Sequence, residues 1–261
     1  MVSEEKDATE NPEPMTGNSG RPARAIGKMF DAVAPRYDFL NRLLSFGRDL
    51  FWRRAASEQL TILGYPGRIL DMATGSGDQL IAIRKTWPHA KIAGLDISPA
   101  MLARAAAKME KLLPDDDDAE TVLGNVHEAP FPDGVFDSVC VSFGLRNLDD
   151  RPGFYREVLR LLKPGGRLVV LELFFDYRNP WAPLHRFHLE TLIPLVASGF
   201  FGRQKKAYRY LGRSVLNFPH PAVIADEMEE AGFKAVNRET MTFRSAMIVR
   251  GQKSFEDKTR P

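Results

Sequence analysis

The chain has 261 residues, 44% hydrophobic and 27% charged, enough to bury one sizeable α/β core. Its 36 basic and 34 acidic side chains leave a formal charge of +2, too balanced to favour a nucleic-acid partner, and one cysteine excludes an intramolecular disulfide framework. The charged start (Glu4, Glu5, Lys6, Asp7) does not fit a signal peptide, and no window of about 18 uncharged apolar residues offers a spanning helix, so a soluble, cytoplasmic protein is expected.

Residues 1–24 are rich in Glu, Asn, Pro, Gly and Ser without periodic apolar positions, which predicts a disordered tail. One domain is expected over 25–253. It opens with a helical layer, 25–62, in which Met29, Phe30, Val33, Tyr37, Leu40, Leu43 and Leu44 recur at helical spacing. Short apolar runs then alternate with helical patterns: strand 68–73, helix 79–85, strand 91–96, helix 99–112, strands 121–123 and 136–143, helix 154–162 and strand 166–173, with Pro164-Gly165-Gly166 as the last turn. That alternation predicts a doubly wound α/β fold on a mostly parallel sheet. Residues 174–218 are apolar but interrupted by proline and glycine, as in a helical lid; helix 221–231 and strands 234–239 and 246–249 close the sheet as a hairpin, and 254–261 is a frayed tail.

The loop Asp71-Met72-Ala73-Thr74-Gly75-Ser76-Gly77-Asp78 follows the first strand, and small residues there let backbone N–H groups approach a ligand at the C-terminal sheet edge. Glycine turns also join strands to helices for steric reasons alone. Asp96, followed by Ile97, ends the second strand, where a carboxylate can accept both hydroxyls of a ribose; a helix-capping role is the alternative. A dinucleotide pyrophosphate prefers a third glycine where Leu80 stands and is repelled by Asp78 at the helix entrance. S-adenosylmethionine carries a sulfonium and an ammonium and no phosphate, so Asp71, Gly75, Ser76 and Gly77 are assigned to that methyl donor rather than to a nicotinamide cofactor.

Three segments carry a family resemblance. They are Met29-Phe30-Asp31-Ala32-Val33-Ala34-Pro35-Arg36-Tyr37-Asp38 with Leu44-Ser45 and Trp52, then Pro130-Phe131-Pro132-Asp133 leading to Ser142-Phe143-Gly144-Leu145-Arg146-Asn147, and Leu162-Lys163-Pro164-Gly165-Gly166 ending at Leu171-Glu172. In these the chain resembles the UbiE/COQ5 family of quinone C-methyltransferases, which includes the bacterial demethylmenaquinone methyltransferases. The resemblance implies a Rossmann-like class I methyltransferase sheet of seven strands with a final antiparallel strand. It also implies that Ser76, Asp96, Asn125, Val126 and Ser142 meet the cofactor. The implied reaction is C-methylation of a reduced polyprenyl quinone, demethylmenaquinol foremost, with a ubiquinone precursor or another aromatic acceptor as alternatives. A nucleotide-dependent oxidoreductase and a non-catalytic cofactor-binding relative are the competing classes. Asp49 stands where the family usually has histidine, Phe174 where it has serine, and Thr242-Phe243-Arg244-Ser245-Ala246 departs from its terminal motif.

Arg146 is assigned to stabilising a quinolate or ordering a water, against an ion pair with Asp149 or Asp150; Tyr37 is assigned to a substrate oxygen, against aromatic packing. His127 and His188 follow as runners-up. The apolar run 181–201 suits a polyprenyl tail, and Arg203, Lys205, Lys206, Arg209 and Arg213 directly after it suit anionic lipid headgroups, so peripheral membrane contact is weighed against a buried lid with a solvated basic face. No His/Cys/Asp spacing points to a metal.

Overall fold

The computed structural model describes residues 27, 30–31, 34, 37–61, 64–114, 116–192, 195 and 212–255, without the side chains of Tyr37, Leu40 and Leu44. Seven strands form one sheet: β1 (Arg68–Met72), β2 (Lys91–Asp96), β3 (Ala119–Leu123), β4 (Phe136–Ser142), β5 (Leu162–Leu173), β6 (Lys234–Met241) and β7 (Ala246–Gln252), in the order β3-β2-β1-β4-β5-β7-β6. β1 to β5 pair in parallel, and β7 runs antiparallel to both β5 and β6. The expected doubly wound, seven-stranded sheet is present.

Alternate residues of the central strands enter two cores. Leu70, Met72, Val139, Val141, Leu168 and Val170 pack with α5 (Arg151–Leu161) and α7 (Pro221–Ala231) on one face. Ile69, Ile92, Cys140, Val169 and Leu171 pack with α2 (Arg48–Glu58) and α3 (Asp78–Thr86) on the other. Burial on both faces is why these strands read as unbroken apolar runs. α4 (Pro99–Leu112) is capped by Ser98, whose Oγ accepts from the Met101 N–H at 3.1 Å. Cys140 is free and buried, and desolvation beside Asp71 pushes its thiol up, away from nucleophilic use.

The fifth strand departs from expectation. It starts at Leu162, and Pro164-Gly165-Gly166 lies inside it instead of forming a separate turn; Gly165 takes a left-handed φ of +76° while its N–H reaches the Lys253 carbonyl at 3.1 Å. The hairpin between β6 and β7 turns on Thr242, Phe243 and Arg244, three non-glycine residues with φ of 48°, 53° and 61°. Trp52 on α2 fastens this turn, its Nε1–H donating to Thr242 Oγ1 at 2.8 Å. Of the N-terminal layer, α1 (Tyr37–Leu44) and α2 are seen, and of the lid, α6 (Ala182–Phe187), the wide turn His188–Leu192 and helical residues 212–216. The tails 1–24 and 256–261, and Arg203, Lys205, Lys206 and Arg209, lie outside the described residues.

Candidate active site

β1 is followed in sequence by β2 on one side of it and neighbours β4 on the other, so the C-terminal ends of β1 and β4 diverge and leave a crevice. The backbone there is strained: Ala73 and Phe143, each just past a strand end, have φ of 55° and 59°. The two chains touch closely, since a Cβ added to Gly144 would lie 2.9 Å from the Ala73 Cβ. A cavity of about 540 Å³ opens at this point, lined by Gly75, Ser76, Asp96, Ile97, Asn125, Val126 and Ser142 among others. Seven of the nine residues assigned to the cofactor from sequence are thus brought to one wall.

Asp96 organises the rim. Its Oδ2 accepts the Gly75 N–H at 2.8 Å and its Oδ1 the Ser98 N–H at 2.9 Å, which ties the glycine loop to the start of α4. Burial raises its carboxyl above the usual range against these backbone hydrogen bonds. The Ile97 N–H also bears on this carboxyl, and a carboxylate's further acceptor capacity is what an incoming hydroxyl would use. Ser142 donates to Gln79 Oε1 at 3.0 Å, and the Gln79 amide reaches Ser57 Oγ at 2.9 Å, so the floor of the cavity is cross-linked to α2.

Two assigned residues stand behind the wall. Gly77 has φ of +84° and backs onto α4, where an added Cβ would meet the Ala105 Cβ at 2.9 Å; its role is close packing. Asp71 is fully buried and accepts from Thr74 Oγ1 at 2.5 Å, bracing the loop from beneath. Asp78 does not turn its charge to the cavity either: it pairs with Arg42 at 3.0 Å and with Lys108. The acidic character that sequence placed on the ligand at Asp78 is answered within the protein.

Burial pushes the Asp71 carboxyl from the ordinary 3.8 up to about 7. A carboxyl raised on folding contributes stability that is full below the unfolded pKa and is lost as pH climbs through the folded one. Cofactor-free protein should therefore lose thermal stability between about pH 4 and pH 7. Asp71→Asn should flatten that slope and be the more stable form above pH 7. Melting curves across that range check it; parallel slopes for the two proteins would refute it.

A second cavity, about 590 Å³, adjoins the first; Trp52, Leu173, Trp181, Leu184, Leu189 and Phe243 give it a mostly apolar surface, and Arg48, Asp49, Arg53, Arg146, His185 and His188 stand around it. Arg53 and Phe143 line both cavities, the guanidinium lying 4.9 Å from the Phe143 ring centre. Arg146 lines the second cavity, its guanidinium and its backbone N–H (3.2 Å) both bound to the fully buried Glu172, a partner the sequence did not suggest. His188 is in this wall with His185, whose imidazole burial pushes down to about 4, leaving it neutral at pH 7. His127 belongs to the first cavity and bonds the Asp150 carbonyl at 2.8 Å. Tyr37 opens α1, but its side chain lies outside the described residues.

Of the departures from the family pattern, Asp49 and the Thr242–Ser245 turn line the second cavity, whereas Phe174 is a core residue packed edge-on to His220. Arg53, Gln79 and His185 were missed by sequence reasoning. Gln79 carried a weak signal, as the second residue of the helix after the glycine loop; Arg53 and His185 carried none.

Against known proteins, the profile of the ubiE/COQ5 methyltransferase family matches residues 18–253. The demethylmenaquinone methyltransferase of Thermotoga maritima is 40% identical over 89% of this chain and 97% of its own, and that of Thermus thermophilus 42% identical over 84% and 97%. The ubiquinone/menaquinone biosynthesis C-methyltransferase UbiE of Geobacter sulfurreducens is 40% identical over 88% and 89%. Among solved structures, Haemonchus contortus phosphoethanolamine N-methyltransferase 2 in complex with S-adenosyl-L-methionine superposes with a TM-score of 0.65 at 15% identity, covering 90% of this chain and 61% of that one. An Aquifex aeolicus SAM-dependent methyltransferase superposes at 0.58 with 18% identity, covering 82% and 97%. At such identities these two share the fold.

Proposed function

The chain belongs to the ubiE/COQ5 methyltransferase family, and from that premise we infer that it transfers a methyl group from S-adenosylmethionine to a ring carbon of a reduced polyprenyl quinone. Demethylmenaquinol, yielding menaquinol, is the leading acceptor, since the relatives from Thermotoga and Thermus are named for it. A ubiquinone precursor is the second reading, favoured by the double name of the Geobacter relative.

The observation that carries the inference is the pair of cavities meeting at Arg53 and Phe143. The first suits a nucleoside: Asp96 supplies the acceptors for two ribose hydroxyls, Gly75 and Ser76 the close-approaching loop, and Ile97 and Val126 apolar walls. At the junction Arg53 is 5% exposed, and its Nε meets no acceptor among the described residues, a donor suited to a carboxylate. These groups fit S-adenosylmethionine, which when bound supplies an electrophilic methyl on positive sulfur. The protein's part is alignment, exclusion of water and stabilisation of the acceptor oxygen as it gains negative charge. Arg146, held by Glu172, and Arg53 bring positive charge to that side.

The second cavity is apolar enough for a prenylated ring, and its mouth is rimmed by Phe46, Trp181, Leu184 and Phe243, which are 79%, 56%, 61% and 73% exposed. Such a rim favours peripheral contact with a bilayer from which the substrate enters. Among the described residues no helix is long and apolar enough to cross a membrane.

Labelled methyl transfer to a panel of reduced naphthoquinols and benzoquinols tests the reaction, with the naphthoquinol expected to accept most label. Product on an O- or N-acceptor with none on any quinol would overturn it. In vesicle flotation the protein should rise with the lipid, and Phe46→Ser with Leu184→Ser should reduce the floating fraction several-fold; equal flotation of both proteins, or of neither, would remove the membrane contact.

A further inference from the structure

Asp49 is buried, 3% exposed, in the wall of the apolar acceptor cavity. It stands in the first turn of α2, where a carboxylate complements a helix N-terminus, yet that role requires neither burial nor a cavity. Its Oδ2 accepts from the Arg42 guanidinium and its Oδ1 from the Ser45 hydroxyl at 2.8 Å. Each carboxylate oxygen keeps one further lone pair. Trp52 and Arg53 follow at three and four residues, so all three share a helix face, and Asp49 lies one turn from the Arg53–Phe143 junction through which the two cavities meet. Arg42 is in turn anchored to Asp78, at 3.0 Å, so the carboxylate is braced from the cofactor side of the protein.

We propose that Asp49 is the proton acceptor for the aromatic hydroxyl of the methyl acceptor, a role that rests on the methyl-transfer reading above. As the O–H bond breaks, the proton passes to the Asp49 carboxylate and the oxygen's electron pair moves into the ring. The ring carbon then forms its bond to the methyl group as the carbon–sulfur bond breaks, with that pair staying on sulfur. The methylated carbon loses its hydrogen to water while Asp49 returns its proton to the oxygen, so one proton is released per turnover and the aromatic ring is restored. Facing the same cavity are Arg48, Arg53, Arg146, His185 and His188, with Arg42 on the carboxylate, Asp78 beyond Arg42 and Glu172 beyond Arg146. The excess of cations favours negative charge on the acceptor oxygen.

The full-length enzyme is assayed with S-adenosylmethionine and a reduced naphthoquinol as a function of pH. Asp49→Asn should lower kcat by about 100-fold or more, the usual weight of a general base, with KM changed by no more than about threefold and calorimetric affinity for S-adenosylmethionine retained. Asp49→His, which supplies a different proton acceptor, should recover a tenth or more of the rate, with the acid limb of its pH–rate profile moved toward the histidine range near about 6.5. Wild-type kcat and an unchanged profile in Asp49→Asn would overturn the proposal, as would a histidine variant that binds S-adenosylmethionine normally but follows the asparagine variant in rate and profile. Wild-type enzyme that methylates no quinol would instead overturn the methyl-transfer reading on which the proposal stands.

Discussion

Asp96→Ala is expected to weaken S-adenosylmethionine binding by about 100-fold, because two hydrogen bonds to a charged acceptor, at about 1.5 kcal/mol each, are removed. The loss has two origins. The ribose hydroxyls would lose their acceptors, and the Gly75 and Ser98 N–H groups, now tied to one carboxylate at 2.8 and 2.9 Å, would be released together. Asp96→Asn keeps one oxygen and should fall between the two. Because burial holds the Asp96 carboxyl above its ordinary range, affinity should also weaken as pH falls toward that raised value, for the protonated form accepts fewer hydrogen bonds. Calorimetric titration at several pH values measures both effects. Wild-type affinity in the alanine variant would dissociate Asp96 from the cofactor and leave it as the tie between the glycine loop and the start of α4.

Glu172→Ala is expected to be the most destabilising single change at the second cavity. Glu172 is fully buried, Arg146 is 4% exposed at its side chain, and removing one member of such a pair costs about 3–5 kcal/mol because the other charge stays buried. The thermal midpoint should fall on the order of 10 °C. Glu172 also accepts the Leu173 N–H at 2.9 Å and the Arg146 N–H, so the end of β5 loosens with the arginine. Methyl transfer should decline further than S-adenosylmethionine affinity, since the arginine is in the acceptor cavity and not in the donor cavity. Replacing both partners by apolar residues of similar volume should recover stability without recovering activity. A midpoint within 2 °C of the wild type, about the effect of 1 kcal/mol, would show that the pair contributes little.

Much of the first cavity was legible before the fold was known, because its requirements are local. A loop that must approach a ligand closely needs Gly75 and Ser76 directly after a strand, and a ribose acceptor must stand at the end of the next strand, as Asp96 does. Two residues of that same loop were legible as loop members and not as wall or bracing: Asp71 and Gly77 point to Thr74 and Ala105, and only the packed layers say which way they face. Asp78 read as a charge for the ligand until Arg42, 36 residues away, and Lys108 were found on it.

The second cavity was hardly legible at all. It is closed by Trp52 bonded to Thr242 across 190 residues, and by Arg146 on Glu172, pairings with no sequence period. Arg53 has no motif around it, yet it lines both cavities because α2 packs against α3, β5 and β4. The sequence by itself determined the doubly wound sheet and the strand-end residues that line the first cavity, since burial on two faces and backbone approach leave marks within a few neighbouring residues. The tertiary structure alone decided where the two cavities meet, which carboxylates are answered by internal cations, and that Asp49 lines the second cavity, since each depends on side chains joined only when separate layers close on one another.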